Sequence, residues 1–116
     1  MRVSTLRRRS EFQAAYRQGV KTSGRFVVIF GLLRAEGGCR FGITATRRLG
    51  GAVVRNRARR RIRELFRRHG EALQELSIDV VVNARDGCAS APWTDVGADF
   101  VRCVTTLRRR LSPPVS

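Results

Sequence analysis

Three segments of the chain are predicted to be strands, the first because it is a continuous apolar run, and the first and third are expected to be buried. They are RFVVIFGLLR at 25–34, CRFGITAT at 39–46 and SIDVVVNAR at 77–85. The first is rich in β-branched and aromatic residues and is short for a core helix. Because only the turn AEGG at 35–38 separates the first two, we expect them to pair as an antiparallel hairpin.

Helical spacing of apolar residues marks two further segments. SEFQ at 10–13 is typical of a capping box with Ser10 as N-cap and Gln13 at the third position. It predicts a helix over 10–18 that ends at Gly19 and carries Phe12 and Tyr16 on one face. A second amphipathic helix is predicted from Asp95 onward, with apolar positions at Val96, Phe100, Val104, Leu107 and Leu111.

The segment VVRNRARRRIRELFRR at 53–68 predicts an amphipathic helix with eight arginines and one acidic residue, Glu64. Its apolar sector, about 120° wide, comprises Val54, Ala58, Ile62, Leu65, Phe66 and His69. The opposite side carries Asn56, Arg59, Arg60, Arg63 and Arg67, whereas Arg57, Arg61 and Arg68 share a flank with Glu64.

These elements follow one another as helix, two or three strands, helix, strand, helix. That order predicts an α+β sandwich with helices packed on a sheet. The 116 residues suit a single domain over 1–116, with a frayed tail at 112–116. No apolar run long enough to span a membrane is present. The three dispersed cysteines, Cys39, Cys88 and Cys103, are expected to be reduced structural thiols of a cytoplasmic protein.

The charge balance indicates a polyanionic partner. The 24 basic residues outnumber the 9 acidic ones, giving a net charge of +15, and every basic residue except Lys21 is arginine. Arginine pairs bidentately with phosphate and stacks on bases, which favours nucleic acid. Codon bias is an alternative explanation for the high ratio of arginine to lysine. The run of arginines at 53–68 could alternatively be a helix face that is simply exposed to solvent. Gly50 and Gly51 before the helix would let a phosphate backbone approach its N-terminus.

Residues able to hydrolyse a phosphodiester by themselves are not grouped in the sequence. The acidic residues are scattered, and the single histidine, His69, is expected in the core or at a helix end. The cysteines and this histidine do not have the spacing of a zinc site. We therefore expect no catalytic and no metal-binding residues. Two roles remain open for Phe12 and Tyr16, namely packing in the core and stacking on single-stranded bases.

The arginine-rich segment resembles the bacterial ribonuclease P protein component. The match centres on Arg55-Asn56-Arg57, the "RNR" motif of that family, and continues through Arg60, Arg61, Ile62, Arg63 and Glu64. EFQAAYRQG resembles the family's first helix, GITATRRLGGAVV its glycine-led strand and basic loop into the helix, and DVVVNAR its strand after the basic helix. The three segments follow one another along the chain in the family's order. The resemblance covers nearly the whole chain.

The resemblance implies a two-layer α/β sandwich in the order αβββαβα, with a left-handed βαβ crossover, of the kind found in ribosomal-protein domains. It also implies a subunit of an endoribonuclease whose catalytic RNA removes the 5′ leader of precursor tRNA with Mg²⁺, held mainly by the RNA and substrate. The expected partners are that RNA and precursor tRNA. The residues expected to bind the catalytic RNA are Arg47, Arg48, Arg55, Asn56, Arg57, Arg59, Arg60, Arg61, Arg63 and Arg67. The leader is expected on Phe12 and Tyr16.

Three departures from the family pattern modify these expectations. Gly50-Gly51 stands where Gly-Asn is common, and Arg47-Arg48 where lysine is common. A family aromatic on the sheet is expected to correspond to Ile29. The competing hypotheses are a small structural ribosomal or general RNA-binding protein, and a stand-alone nuclease.

Overall fold

The computed structural model of the chain describes residues 3–111. The predicted tail at 112–116 lies outside them. The elements in chain order are β1 (Val3–Thr5), α1 (Arg9–Gln18), β2 (Val20–Ser23), β3 (Val27–Leu33), β4 (Cys39–Thr44), a 3₁₀ turn (Arg47–Leu49), α2 (Ala52–His69), α3 (Glu71–Gln74), β5 (Ile78–Ala84) and α4 (Trp93–Leu111). The predicted mixed α+β class is confirmed, and β1 and the short α3 are added to the predicted order.

The five strands form one sheet in the order β1-β4-β5-β3-β2. The predicted hairpin of β3 and β4 is wrong, because β5 lies between them, antiparallel to β3 and parallel to β4. All five residues from Ile78 to Val82 are buried, as is typical of a strand inside a sheet that is covered on both faces. Instead, β3 forms its hairpin with β2, a strand that the apolar pattern had not marked.

The parallel pair β4 and β5 is joined by a crossover that contains α2 and α3. The left-handed sense of this crossover stays a prediction of the resemblance.

The main core lies between one face of the sheet and the helices α2 and α4. Four of the predicted apolar positions of α2 are buried there, namely Ala58, Ile62, Leu65 and Phe66. The prediction is wrong for Val54 and His69, which are exposed because they lie in the two terminal turns of the helix. α4 begins at Trp93, two residues before the predicted start, and buries Val96, Phe100, Val104 and Leu107 as predicted, whereas Leu111 is half-buried.

α1 packs on the opposite face of the sheet. Its Ala15 is fully buried in a small cluster with Leu6 and Val81, to which the rings of Phe12 and Phe30 add. The predicted capping box is wrong. The helix begins at Arg9, and Glu11 caps it, because its Oε1 accepts hydrogen bonds from the backbone N–H of Arg8 (3.0 Å) and of Arg7 (3.3 Å).

An ionic chain holds α1 over the sheet. Arg40 of β4 donates to Glu11 Oε2 at 2.5 Å and, through two parallel bonds of 2.7 Å each, to Asp79 of β5. Asp79 is buried and also pairs with Arg34 at 2.9 Å. The backbone N–H of Arg8, and to a smaller extent the Arg40 guanidinium, lower the pKa of Glu11, so its carboxylate stays ionised and paired at neutral pH.

The three cysteines are free and buried, as predicted for structural thiols. Burial is the main reason why the pKa of each thiol is raised to about 11, which keeps all three protonated and poorly reactive at neutral pH.

Asp99 of α4 anchors the turn between β2 and β3. Its buried carboxylate accepts hydrogen bonds from the backbone N–H of Arg25 (2.9 Å) and of Phe26 (2.8 Å), and it pairs with Arg102 one helical turn later. Both backbone donors therefore depend on one side chain from a helix more than 70 residues away.

Replacement of Asp99 by alanine is expected to lower the free energy of unfolding by about 2–3 kcal/mol, because two backbone donors lose their acceptor. Glu36→Ala, which removes an exposed acid from the loop before β4, is the matched control and should change it by less than about 0.5 kcal/mol. Urea unfolding measures both. Equal effects of the two substitutions would contradict the anchoring role.

Candidate RNA interface

The exposed side of α2 carries arginines without acidic partners. Arg57, Arg60 and Arg63 are exposed and make no hydrogen bond or ion pair with any residue between 3 and 111. Each is separated from the next by one turn of helix, so their guanidinium groups form a row along the helix. Such a row has the charge and spacing to bind successive phosphates of a nucleic acid backbone.

Glu64 neutralises the C-terminal end of this side. It binds Arg67 at 2.5 Å and Arg68 at 2.6 Å, and does not contact Arg60. These hydrogen bonds, first from Arg67 and then from Arg68, lower the pKa of Glu64 to about 2. Arg67 is therefore partly compensated, whereas the row at Arg57, Arg60 and Arg63 keeps its full charge.

Three other arginines in the predicted RNA-binding set are turned toward the protein. Arg61 donates to the backbone carbonyl oxygens of Cys88 (3.1 Å) and Ala91 (2.7 Å) and lies 5.8 Å above the ring centre of Trp93. Arg59 makes long hydrogen bonds of 3.5 Å to the Ala45 carbonyl oxygen and to Asn56 Oδ1. Arg55 is half-buried. Arg61 thus ties α2 to the loop before α4.

The loop that precedes α2 extends the basic surface. Arg47 and Arg48 are exposed in the 3₁₀ turn. Gly50 has φ +143, a backbone conformation that favours glycine, and a Cβ at this position would lie 3.1 Å from Val54 Cβ. Gly51 is the N-cap and offers no side-chain acceptor, so the first amides of α2 remain available to an anion.

The α1 face of the sheet presents the predicted aromatic pair in two different environments. Phe12 is half-buried, and its ring lies so close to Gly42 that a Cβ there would be 2.6 Å from Phe12 Cζ. Tyr16 is 37% exposed and packs edge-on against Phe30, with 4.9 Å between the ring centres. The structure therefore brings Phe12 and Tyr16 together on one surface, and Tyr16 offers more of its ring to a ligand.

The sheet aromatic beside them is Phe30, not a residue at the position of Ile29. Ile29 is fully buried in the main core on the other face. Successive residues of a strand point to opposite faces of the sheet. The expectation that the family's sheet aromatic corresponds to Ile29 therefore placed it on the face opposite α1. Strand alternation within VVIFGLL was the signal that could have identified Phe30.

A cleft of about 380 Å³ continues this surface toward the basic loop. Thr44 and Asn83 lie at its sheet side, and its rim includes Arg25, Arg48 and Arg85, with Asp86 beside them. The α1 face and the loop before α2 are thus connected by a positively charged cleft.

The donor set does not fit a magnesium site in the part of the chain that the structure describes. No group of three or more histidine, cysteine, aspartate or glutamate side chains comes together between residues 3 and 111. His69 is exposed at the end of α2. Within the same range, no helix has the length and apolar character needed to cross a membrane.

Comparison with known proteins relates the chain to a known family. The model of the family described as Ribonuclease P matches residues 1–108. The chain belongs to the ribonuclease P protein family. A relative named "Ribonuclease P protein component" from Desulfovibrio desulfuricans is 36% identical over 109 residues, covering 91% of this chain and 84% of its own length. Another of that name, from Kocuria rhizophila, is 33% identical over 107 residues and 92% of its length.

A solved structure supports the family membership. The ribonuclease P protein of Staphylococcus aureus superposes with a TM-score of 0.79 at 25% identity, covering 90% of this chain and 95% of that chain.

Arg63 and Arg61 form a matched pair for testing which arginines of α2 bind RNA. Arg63→Ala is expected to reduce the slope of log K against log salt for ribonuclease P RNA by about one, because one phosphate contact is lost, without changing stability. Arg61→Ala is expected to lower the free energy of unfolding by about 1.5–3 kcal/mol and to leave the slope unchanged. Filter binding across salt concentrations measures the slope, and urea unfolding measures the stability. A lower stability for Arg63→Ala and a reduced slope for Arg61→Ala would contradict the roles assigned to the two arginines.

Proposed function

We infer that the chain is the protein subunit of ribonuclease P, an endoribonuclease of tRNA processing, and that it associates with the ribonuclease P RNA. The family match over residues 1–108 carries this conclusion. It favours the subunit over a structural ribosomal or general RNA-binding protein, which would share the size and charge of the chain.

The basic surface of α2 and its preceding loop is the proposed contact with the ribonuclease P RNA. The free row at Arg57, Arg60 and Arg63, together with Arg47 and Arg48, supplies phosphate contacts. Asn56 and Arg67 extend this surface, and Arg55, Arg59 and Arg61 support it from partly buried positions. Guanidinium–phosphate pairs are strong and bidentate, so this surface gives high affinity with a steep salt dependence.

The α1 face is the proposed binding surface for the single-stranded 5′ leader of precursor tRNA. Tyr16 provides an exposed ring for base stacking and Phe30 packs edge-on against that ring, while the half-buried Phe12 lies on the same surface. Arg25 and Arg85 at the rim of the adjoining cleft can neutralise leader phosphates. The ion pairs of Arg40 with Glu11 and Asp79 hold α1 in position on the sheet, and therefore help to shape this surface.

Hydrolysis is proposed to belong to the RNA subunit, with Mg²⁺ held by that RNA and the substrate. The dispersed carboxylates of residues 3–111 support this assignment, and Glu64, the carboxylate on α2, is already paired with Arg67 and Arg68. The protein contributes a positive field that lowers repulsion between two RNA molecules, and a surface that aligns the leader. The proposed compartment is the cytoplasm, where the buried thiols would remain reduced.

Reconstitution tests the proposed function. Ribonuclease P RNA at low Mg²⁺ is expected to cleave leadered precursor tRNA at its mature 5′ end much faster with this protein than without it, because the protein replaces part of the counterion charge. The protein alone is expected to cleave nothing, which separates the proposal from a stand-alone nuclease. Cleavage by protein alone, or no stimulation of a folded, matched RNA, would refute it.

Tyr16→Ala is expected to weaken binding of leadered precursor tRNA to the holoenzyme by about 1–3 kcal/mol, because one base loses its stacking surface. Phe12→Ala is expected to weaken the same binding, because Phe12 lies on the same surface. Binding of mature tRNA should not change. Val101→Ala, which trims an exposed apolar residue of α4, is the control. An equal loss for leadered and mature tRNA would show that the ring has only a structural role.

A further inference from the structure

A hydrogen-bonded chain of side chains lies at the tip of Tyr16. The Tyr16 hydroxyl lies 3.0 Å from Thr44 Oγ1 and donates to Asn83 Oδ1 at 3.0 Å. With that proton directed to Asn83, the Thr44 hydroxyl donates to Tyr16. Hydrogen bonds in series polarise one another and fix the orientation of their members. The hydrogen bond from Tyr16 therefore holds the carbonyl oxygen of the Asn83 amide toward the phenol.

The other half of the Asn83 amide has no such partner. Its Nδ2 group carries two N–H donors and makes no hydrogen bond to any of residues 3–111. Asn83 and Thr44 line the cleft of about 380 Å³, whose rim holds Arg25, Arg48 and Arg85. Arginines bind phosphate regardless of base, whereas a neutral amide held in one orientation can distinguish one base edge from another.

We propose that Asn83 is a specificity-determining residue that reads one base of the single-stranded leader and favours guanine or uracil over adenine or cytosine. The inference rests on the proposed function of the α1 face. A base stacked on the exposed ring of Tyr16 brings its edge to the hydroxyl end of that ring, where Asn83 lies.

The base preference follows from the donors that Asn83 presents. Guanine and uracil carry a carbonyl oxygen where adenine and cytosine carry an amino group. An amide that offers only N–H groups can donate to the carbonyl oxygen at that position. It finds no acceptor in an amino group there, because the amino group is itself a donor. The two-point pairing of asparagine with adenine needs the amide oxygen and Nδ2 on the same base edge, whereas the hydrogen bond from Tyr16 holds that oxygen toward the phenol.

The test uses the holoenzyme and precursor tRNAs that carry each of the four bases at each leader position in turn. The wild type is expected to prefer guanine or uracil by about 3–10-fold in kcat/KM at one position, the effect of a single hydrogen bond. Asn83→Asp keeps an oxygen toward Tyr16 and presents a second oxygen to the cleft. It should reverse the preference at that position toward adenine or cytosine and leave the other positions unchanged.

Two further variants keep the test decisive if Asn83→Asp does not fold. Asn83→Leu should abolish the preference at that position, and Tyr16→Phe should relax it toward adenine, because the ring remains while the amide oxygen is released. A wild-type enzyme without a guanine or uracil preference at any position, or variants with the wild-type preference, would overturn the proposal for Asn83. If the wild-type holoenzyme instead bound leadered and mature tRNA equally well, the proposed function of the α1 face would be overturned.

Discussion

The burial of β5 on both faces of the sheet is the constraint on which the rest of the structure depends. Its residues from Ile78 to Val82 are all buried, so each face must be covered by helices. α2 and α4 cover one face, and α1 covers part of the other. The arginines of α2 and the aromatic residues of α1 consequently lie on opposite sides of one rigid sheet. The domain thereby has two separate surfaces, which the proposed function assigns to two different RNA segments.

The distribution of acidic residues determines where the excess positive charge is displayed. Buried Asp79 and Asp99 are used inside the fold, where they bind Arg34, Arg40 and Arg102. Glu64 pairs with both Arg67 and Arg68 and offsets part of their charge at one end of α2. The middle of α2 and the loop before it have no such compensation, so a polyanion gains most by binding there.

How much could be predicted depended on whether the signal was local. The 3.6-residue periodicity of α2 and α4 identified both helices and most of their buried positions, because an amphipathic pattern is contained within one segment. Strand pairing was not predictable in this way. β2 reads VKTS and β1 reads VST, too short and polar for an apolar pattern, and the central place of β5 depends on residues far away in the sequence.

The candidate site shows the same limit. The RNR segment identified the basic surface, but the inward orientation of Arg61 depends on carbonyl oxygens 27 and 30 residues away. The chain from Thr44 through Tyr16 to Asn83 joins residues separated by 28 and 67 positions. Only the alternation that places Phe30 opposite Ile29 was available from local sequence and was missed.

Site-directed crosslinking from two single cysteines tests most directly that the two surfaces bind different RNAs. Because the native thiols are buried with pKa values near 11, a photoreactive group will attach selectively to an introduced cysteine. In the holoenzyme with precursor tRNA, R63C on α2 is expected to crosslink to the ribonuclease P RNA, and Q13C on α1 to the leader. Crosslinks from both positions to the same RNA, or the reverse assignment, would contradict the account.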